Sequence, residues 1–556
     1  MIFISVFFTF YGCSPKHNQS ETDLQSFIDD FTSKIQPLNE KHQLAAYNAS
    51  VSGDAEEYKN AADLQILIVK LFSNKDNFAK LKAWKESKQI QDSLLKRQLE
   101  VLYYQFLPNQ ANEQDMIDMV LLENEIERKF STYRPEIDGK IVTDNQIDDI
   151  LANSQNPAEL EKYWKASKSV GSQVNDDIIK LVKLRNKTAK EAGFKNYREM
   201  IFNTSGEDPE KIDEIFEELD FATRGPYTQL KSEIDNFLSV FLSKPVSELK
   251  AWDYQNKFLQ DAPNLYSINY DKYYKDADIA ETDRNFYSGI GLDMSDIISK
   301  SDLFYKEKKQ QLPYSIDIDR KGDIRISAST EKNAYSMYAL LYETGFSASY
   351  KYINKDLPYL LKEPAHFIIS DAGAEMFGQL ATNTVWLETQ MKVSKTEIET
   401  VREKSRKHQS ISKFFFSRWS LVMYNFEKSL YEDPDQDLNE LWWNLVEKYQ
   451  MIKKPESRNE PDWASKPHLI NQPCSYHNYM LGEMLAAQMK DYIQKKIGKQ
   501  GIECETSCIS NPEIGKFLKE KLYAPGLSVP WNILIKQATG NDLSADFFTK
   551  EYIDSK

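Results

Sequence analysis

The sequence predicts a mainly α-helical protein, and three observations carry that expectation. Apolar residues recur at helical spacing through long stretches. Glycine and proline are scarce, at 19 and 20 in 556 residues. Only one short segment clearly alternates apolar and polar residues as a strand pair does. Aromatic residues make up 12% of the chain, enough bulk to fill a large core and to set aside a disordered or solenoid chain. The formal charge of −15 argues against a nucleic-acid partner and against adhesion of the body to anionic membrane surfaces.

Residues Ile2 to Phe10 are almost all apolar and run into Tyr11-Gly12-Cys13-Ser14. The run is too short to span a bilayer but suits the apolar part of a signal peptide. A small residue before cysteine at its end resembles a bacterial lipoprotein signal, with Cys13 as the lipidated N-terminus. No Lys or Arg precedes Cys13, and Phe10 stands where a small aliphatic residue is usual, so an ordinary signal and a cytosolic chain remain open. Residues 1–21 are read as signal and tether, and residues 22–553 as one domain. The expected location is the cell envelope, as a periplasm-facing or surface lipoprotein held by its lipid anchor, with the acidic body in solvent.

From Leu24 to Leu107 the pattern is helical. Phe27, Phe31 and Ile35 fall at i, i+4, i+8, and Leu64, Leu67, Ile68 and Leu71 share a face, with Gly53 and Asn74 punctuating turns. Asn156-Pro157 reads as a helix start, and Val174, Ile178, Leu181, Val182 and Arg185 mark an amphipathic helix that Gly193 can close. Ser315 to Ile326 is the alternating hairpin, turning at Lys321-Gly322. Tyr338 to Tyr350 then forms a helix with Tyr342-Glu343-Thr344-Gly345-Phe346 at its centre. Pro530 to Gly540 is a short helix with Pro at its start and Gly past its end. Of the four cysteines, Cys504 and Cys508 either bridge a short loop or stay as free thiols.

On those five central residues alone, aromatics at i and i+4 read as core packing. Their surroundings say more. The Ile316-Asp317-Ile318-Asp319-Arg320 hairpin lies before them, and Lys355-Asp356-Leu357-Pro358 and Asp371-Ala372-Gly373-Ala374-Glu375-Met376-Phe377-Gly378 lie after. Trp463 to His468, Tyr476 to Glu483 and Pro530 to Gly540 complete the series. This succession resembles the angiotensin-converting-enzyme-like (peptidyl-dipeptidase A) family of zinc peptidases, in particular its bacterial branch, from about Thr22 to Phe548. The resemblance implies a two-lobed helical zincin-like fold with a deep central cleft, a small β-hairpin beside the active-site helix, and N-terminal helices as a lid.

The family pattern implies His-Glu-x-Gly-His, in which two histidines hold zinc and the glutamate activates bound water. Carried over, the histidine positions fall on Tyr342 and Phe346, the catalytic glutamate on Glu343, and the third ligand on Asp371. Phenyl and phenol groups are poor zinc donors, and an aspartate is a methylene short. None of the six histidines is paired at the required spacing. Two further positions where bacterial relatives tend to carry histidine hold Asp253 and Leu312. The resemblance also implies that Lys466 grips a peptide's C-terminal carboxylate and that His468, with Tyr476 or Tyr479, faces the oxyanion; Ser475 stands where a second tyrosine is expected.

The expected function is therefore a catalytically impaired homologue that binds peptides or a partner protein in its cleft. No cofactor is expected, although active relatives use zinc. One alternative is an active metallopeptidase or dipeptidyl carboxypeptidase with an unorthodox metal on Glu343, Asp371, Glu375 or His366. Another is a structural envelope lipoprotein whose cleft is filled by Tyr342 and Phe346. Glu343 and Asp371 are expected to face each other without a cation between them, one of them protonated or compensated by His468, Lys466 or water.

Overall fold

The computed structural model describes residues 19–263, 265–266, 268–306, 309–310, 312–498 and 509–552. The signal, lipidation and disulfide readings at Cys13, Cys504 and Cys508 lie outside them. Among the described residues the strands form two antiparallel hairpins, Glu136–Ile137 with Lys140–Ile141 and Tyr314–Asp317 with Ile324–Ser327, and the other regular elements are helices. No described helix is long and apolar enough to cross a membrane.

The N-terminal helices follow their sequence signals. Helix Gln19–Ser52 buries Leu24, Ile28, Phe31 and Ile35 along one face. Gly53 breaks it at φ 66°, and Asp54 caps Ala55–Phe72 by accepting from the amides of Glu56 and Glu57. Phe31, Phe72 and Phe106, the last from helix Ser93–Phe106, meet with ring centroids 5.2–5.4 Å apart. With Leu360 they belong to a small apolar cluster distinct from the main core.

Helix Gly171–Glu191 carries Arg185, which is buried and donates to the Tyr431 hydroxyl (3.0 Å) and to the carbonyls of Leu469 (3.0 Å) and Ile470 (2.7 Å). A buried guanidinium with its donors taken up in this way ties the first half of the chain to the segment that follows His468.

The hairpin register is Tyr314 to Ser327 through Asp317 to Ile324. Its turn is organised by Asp319, whose Oδ1 accepts from the amides of Lys321, Gly322 and Asp323 at 2.8, 3.1 and 3.0 Å. Gly322 there takes φ 121°, a conformation that disfavours a side chain.

Helix Ala334–Lys351, capped by Asn333, is buried on most sides. A Cβ on Gly345 would lie 2.8 Å from the Tyr287 hydroxyl and 3.0 Å from the Ala374 Cα. Glycine is therefore what lets this central helix lie against helix Phe367–Gly378. Ser349 and Ser370 join the two by a hydroxyl–hydroxyl bond of 2.7 Å. Tyr338, Tyr342, Phe346 and Tyr350, at successive fourth positions, form a half-buried stripe on the central helix.

Candidate functional site

The stripe is continued by rings from other elements. Phe346 packs 5.7 Å from Phe367, Phe367 lies 5.3 Å from Tyr479, and Tyr479 lies 5.4 Å from Tyr476. His468 sits 5.2 Å from Tyr476 and 6.2 Å from Tyr479. Glu343, His468, Tyr476, Tyr479 and Lys466, far apart in sequence, are thus brought to one aromatic neighbourhood with Tyr342, Phe346 and Asp371.

At the three positions assigned to metal by the resemblance, the donors do not fit zinc. Phe346 has none. The Tyr342 hydroxyl donates to Asp371 Oδ1, and burial, with the charges of Asp371 and Glu375, holds the phenol well above its ordinary pKa. A proton that leaves so reluctantly makes this oxygen a poor ligand. Asp371 is fully buried, and its Oδ2 has no hydrogen-bond partner among the described residues. Burial and the neighbouring Glu375 push its pKa well up. Gly482 makes room for it: a Cβ there would fall 1.9 Å from Oδ2.

Lys413 is a cation of this region. Its Nζ pairs with Glu483 and lies 3.6 Å from Glu375 Oε2. Tyr338 donates to Glu375 Oε1 at 3.0 Å, and Gln379 Nε2 donates to Glu483 Oε2 at 3.1 Å. Ammonium, phenol and amide groups thus serve these carboxylates. The expectation that Glu343 and Asp371 face each other is corrected. Asp371 answers to Glu375, Glu483 and Lys413. Glu343 points to Ser315 of the hairpin, and burial pushes it up to about 7. Neither His468 nor Lys466 compensates Asp371.

His366 is likewise taken up elsewhere. Its Nε2 lies 3.3 Å from Glu207 Oε1 and its Nδ1 accepts from the Ile368 amide, while His477 bonds Glu207 Oε2 at 2.9 Å. Burial alone would raise Glu207, but the facing His477 and His366 hold it well below the carboxylate range. Among the described residues no group of three or more His, Cys, Asp and Glu is arranged to hold a metal.

Asp253 is wholly buried against Lys244 Nζ (2.6 Å) and the Lys250 amide (2.7 Å), a structural pairing, whereas Leu312 is 69% exposed. His468 is kept neutral, driven down to about 3 by burial and by Lys466. Tyr476 accepts from the Trp419 indole at 2.8 Å, and Tyr479 donates to Gln472 at 2.9 Å.

Lys466 is the most telling group. Its Nζ bonds Gln260 Oε1 at 2.9 Å and lies 5.1–5.3 Å from the ring centroids of Trp419, Phe258 and Tyr476. No carboxylate pairs with it among the described residues, and burial, with Lys257 adding to it, lowers its pKa to about 7. Gln260 and Phe258 carried no sequence signal, because they sit in an irregular segment without periodicity.

The profile of the peptidase family described as angiotensin-converting enzyme matches residues 18–232 and 245–553. The chain belongs to this family. It is 24% identical to the inactive angiotensin-converting enzyme-related protein of Caenorhabditis elegans over 41% of this chain and 25% of that protein. It is 21% identical to the angiotensin-converting enzyme of Theromyzon tessulatum over 82% of this chain and 79% of that one. To the Bos taurus enzyme it is 20% identical over 94% of this chain and 42% of that protein. The match thus spans only a quarter of the Caenorhabditis protein and under half of the bovine one. The mainly α architecture, with a hairpin beside the central helix, agrees with membership of the angiotensin-converting-enzyme family.

Proposed function

We propose that this chain is a member of the angiotensin-converting-enzyme family that binds peptides by their free C-terminus and does not hydrolyse them. The observation that carries the reading is Lys466, an amine buried among three rings with one neutral hydrogen-bond partner and, among the described residues, no carboxylate. Burying an unpaired charge is costly, and an incoming carboxylate supplies the missing counter-charge through a charge-assisted hydrogen bond.

The loss of hydrolysis rests on the donor set. Water not bound to a metal keeps its pKa of about 15.7, and a carboxylate with the affinity of Glu343 is a weak base for it. Zinc serves active relatives by polarising water; here Tyr342, Phe346 and Asp371 do not provide for it. The sequence alone supports the further reading that a lipid on Cys13 holds the body at the cell envelope, which loss of fatty-acid labelling in Cys13→Ala tests.

Two measurements decide the main reading. Peptides with a free C-terminal carboxylate should bind, their C-terminal amides should bind at least tenfold more weakly, and Lys466→Met should erase the difference. After equilibration with excess Zn²⁺ and desalting, residues 20–556 should retain almost no metal. Equal affinity for acid and amide, or one tightly held zinc with peptide cleavage, refutes the proposal.

A further inference from the structure

We infer that Lys168 is a modification site, whose ε-amine takes up carbon dioxide as a carbamate inside a small aromatic cavity. Lys168 ends the helix Pro157–Lys168 and is buried. Its Nζ lies 3.1 Å from the ring centroid of Phe258 and 5.3 Å from that of Trp164. Among the described residues it makes no hydrogen bond and no ion pair. Burial lowers its pKa well below the ordinary ammonium range; Asp462 opposes this, while Arg458, Lys257 and Lys466 add to it. The shift enlarges the share of the amine in its neutral, nucleophilic form.

The cavity it lines measures about 20 Å³ and is shared with Trp443, Asn256, Lys257 and Asp462. Two of its acceptors are taken. Both oxygens of Asp462 accept from Arg458, and Asn256 Oδ1 accepts from the amides of Phe258 and Gln260. The indole N–H of Trp443 is buried and has no partner among the described residues. A buried amine and a buried N–H without partners mark the place of an acceptor. The room suits one small group, which sets aside an aldehyde cofactor. Aromatic walls also admit an uncharged molecule more readily than an anion, which would have to shed its water. Carbon dioxide meets both conditions.

In the reaction the Nζ lone pair attacks the carbon of carbon dioxide. A C–N bond forms, one C–O π pair moves onto oxygen, and the nitrogen releases a proton to the solvent. The products are a carbamate and one proton, with no change of oxidation state. The new oxygens accept from the Trp443 indole. Lys257, whose Nζ also lies 2.9 Å from Asp148 and 3.5 Å from Asp144, adds a positive charge at the same cavity. Lys466 approaches the same Phe258 ring at 5.3 Å, so the modification replaces a like charge near it with an opposite one.

The test equilibrates the protein with isotope-labelled bicarbonate at mildly alkaline pH and reads the carbamate carbon by NMR. Alkylation with a trialkyloxonium salt, proteolysis and mass spectrometry should then locate the trapped carbamate ester on Lys168. Lys168→Arg should lose the Lys168 signal. Trp443→Phe, which keeps the amine and removes the donor, should raise the bicarbonate concentration for half-occupancy about tenfold. Circular dichroism matching the parent shows that each variant folds. Absence of an adduct on Lys168 at saturating bicarbonate, the outcome if water or a halide fills the cavity, overturns the inference. So does a carbamate resonance of undiminished intensity in Lys168→Arg, or occupancy of folded Trp443→Phe equal to the parent's.

Discussion

The Tyr342 hydroxyl donates to Oδ1 of Asp371 across the seam between the central helix and its neighbour. Tyr342 and Asp371 stand at two of the three positions that the family pattern gives to a metal, and here they satisfy each other. Tyr342→Phe removes the donor and leaves both oxygens of a buried carboxyl without a partner. The expected cost is about 1–3 kcal/mol in chemical denaturation. In an Asp371→Ala background the same change should cost less than about 0.5 kcal/mol. Equal costs in both backgrounds would show that the bond contributes nothing.

Glu343 makes stability depend on pH. Its folded pKa, about 7, lies above the ordinary value, so the folded state holds a proton that the unfolded chain has already released. The stabilisation is complete below about pH 4.5 and is lost as pH rises through about 7. Glu343→Gln keeps the neutral form at every pH. It should therefore lose stability less steeply than the parent between pH 5 and 8 and surpass it at pH 8, by at most on the order of 3 kcal/mol. Parallel stability curves for the two proteins would refute this.

Much of this was legible in the chain because local physics decided it. Asp54 and Asn156 are side-chain caps at the start of apolar periodic runs, and Gly322 and Gly540 are positive-φ positions that the sequence marks as a turn and a stop. Glu343 and Lys466 could be singled out because their neighbours in sequence carry the family pattern. Lys413 and Gln260 could not, since each reaches its partner from a remote segment: Lys413 meets Glu483 across 70 residues, and Gln260 meets Lys466 across 206. The presumed opposition of Glu343 and Asp371 failed for a related reason. Sequence spacing places the two on adjacent helices, but only packing shows that Glu343 turns to the hairpin while Asp371 turns to Gly482.

If Tyr342, Phe346 and Asp371 do occupy ligand positions, restoring the donors should restore the metal. Positions 342 and 346 share one face of a helix, and Asp371 already contacts the first of them. The variant Tyr342→His/Phe346→His/Asp371→Glu is expected to retain close to one zinc per chain after desalting, against almost none for the parent. An unfilled triple variant with unchanged circular dichroism would mean that the positions have been assigned wrongly.

Lys466 should take up a proton when a peptide binds. In the free protein, burial, with Lys257 adding to it, brings the pKa to about 7, so at pH 8 most of the amine is neutral. A bound carboxylate favours the ammonium and raises the pKa, and the proton it requires comes from the buffer. Calorimetry at pH 8 in buffers of different ionisation enthalpy should show uptake approaching one proton per peptide. Uptake should fall toward zero at pH 5.5, where the amine is already charged. Lys466→Met should abolish it. C-terminal amides at the same pH should show little uptake, because without a negative charge in the ligand nothing shifts the amine. Uptake that is equal for acids and amides would locate the proton on another group and remove Lys466 from the carboxylate-binding role.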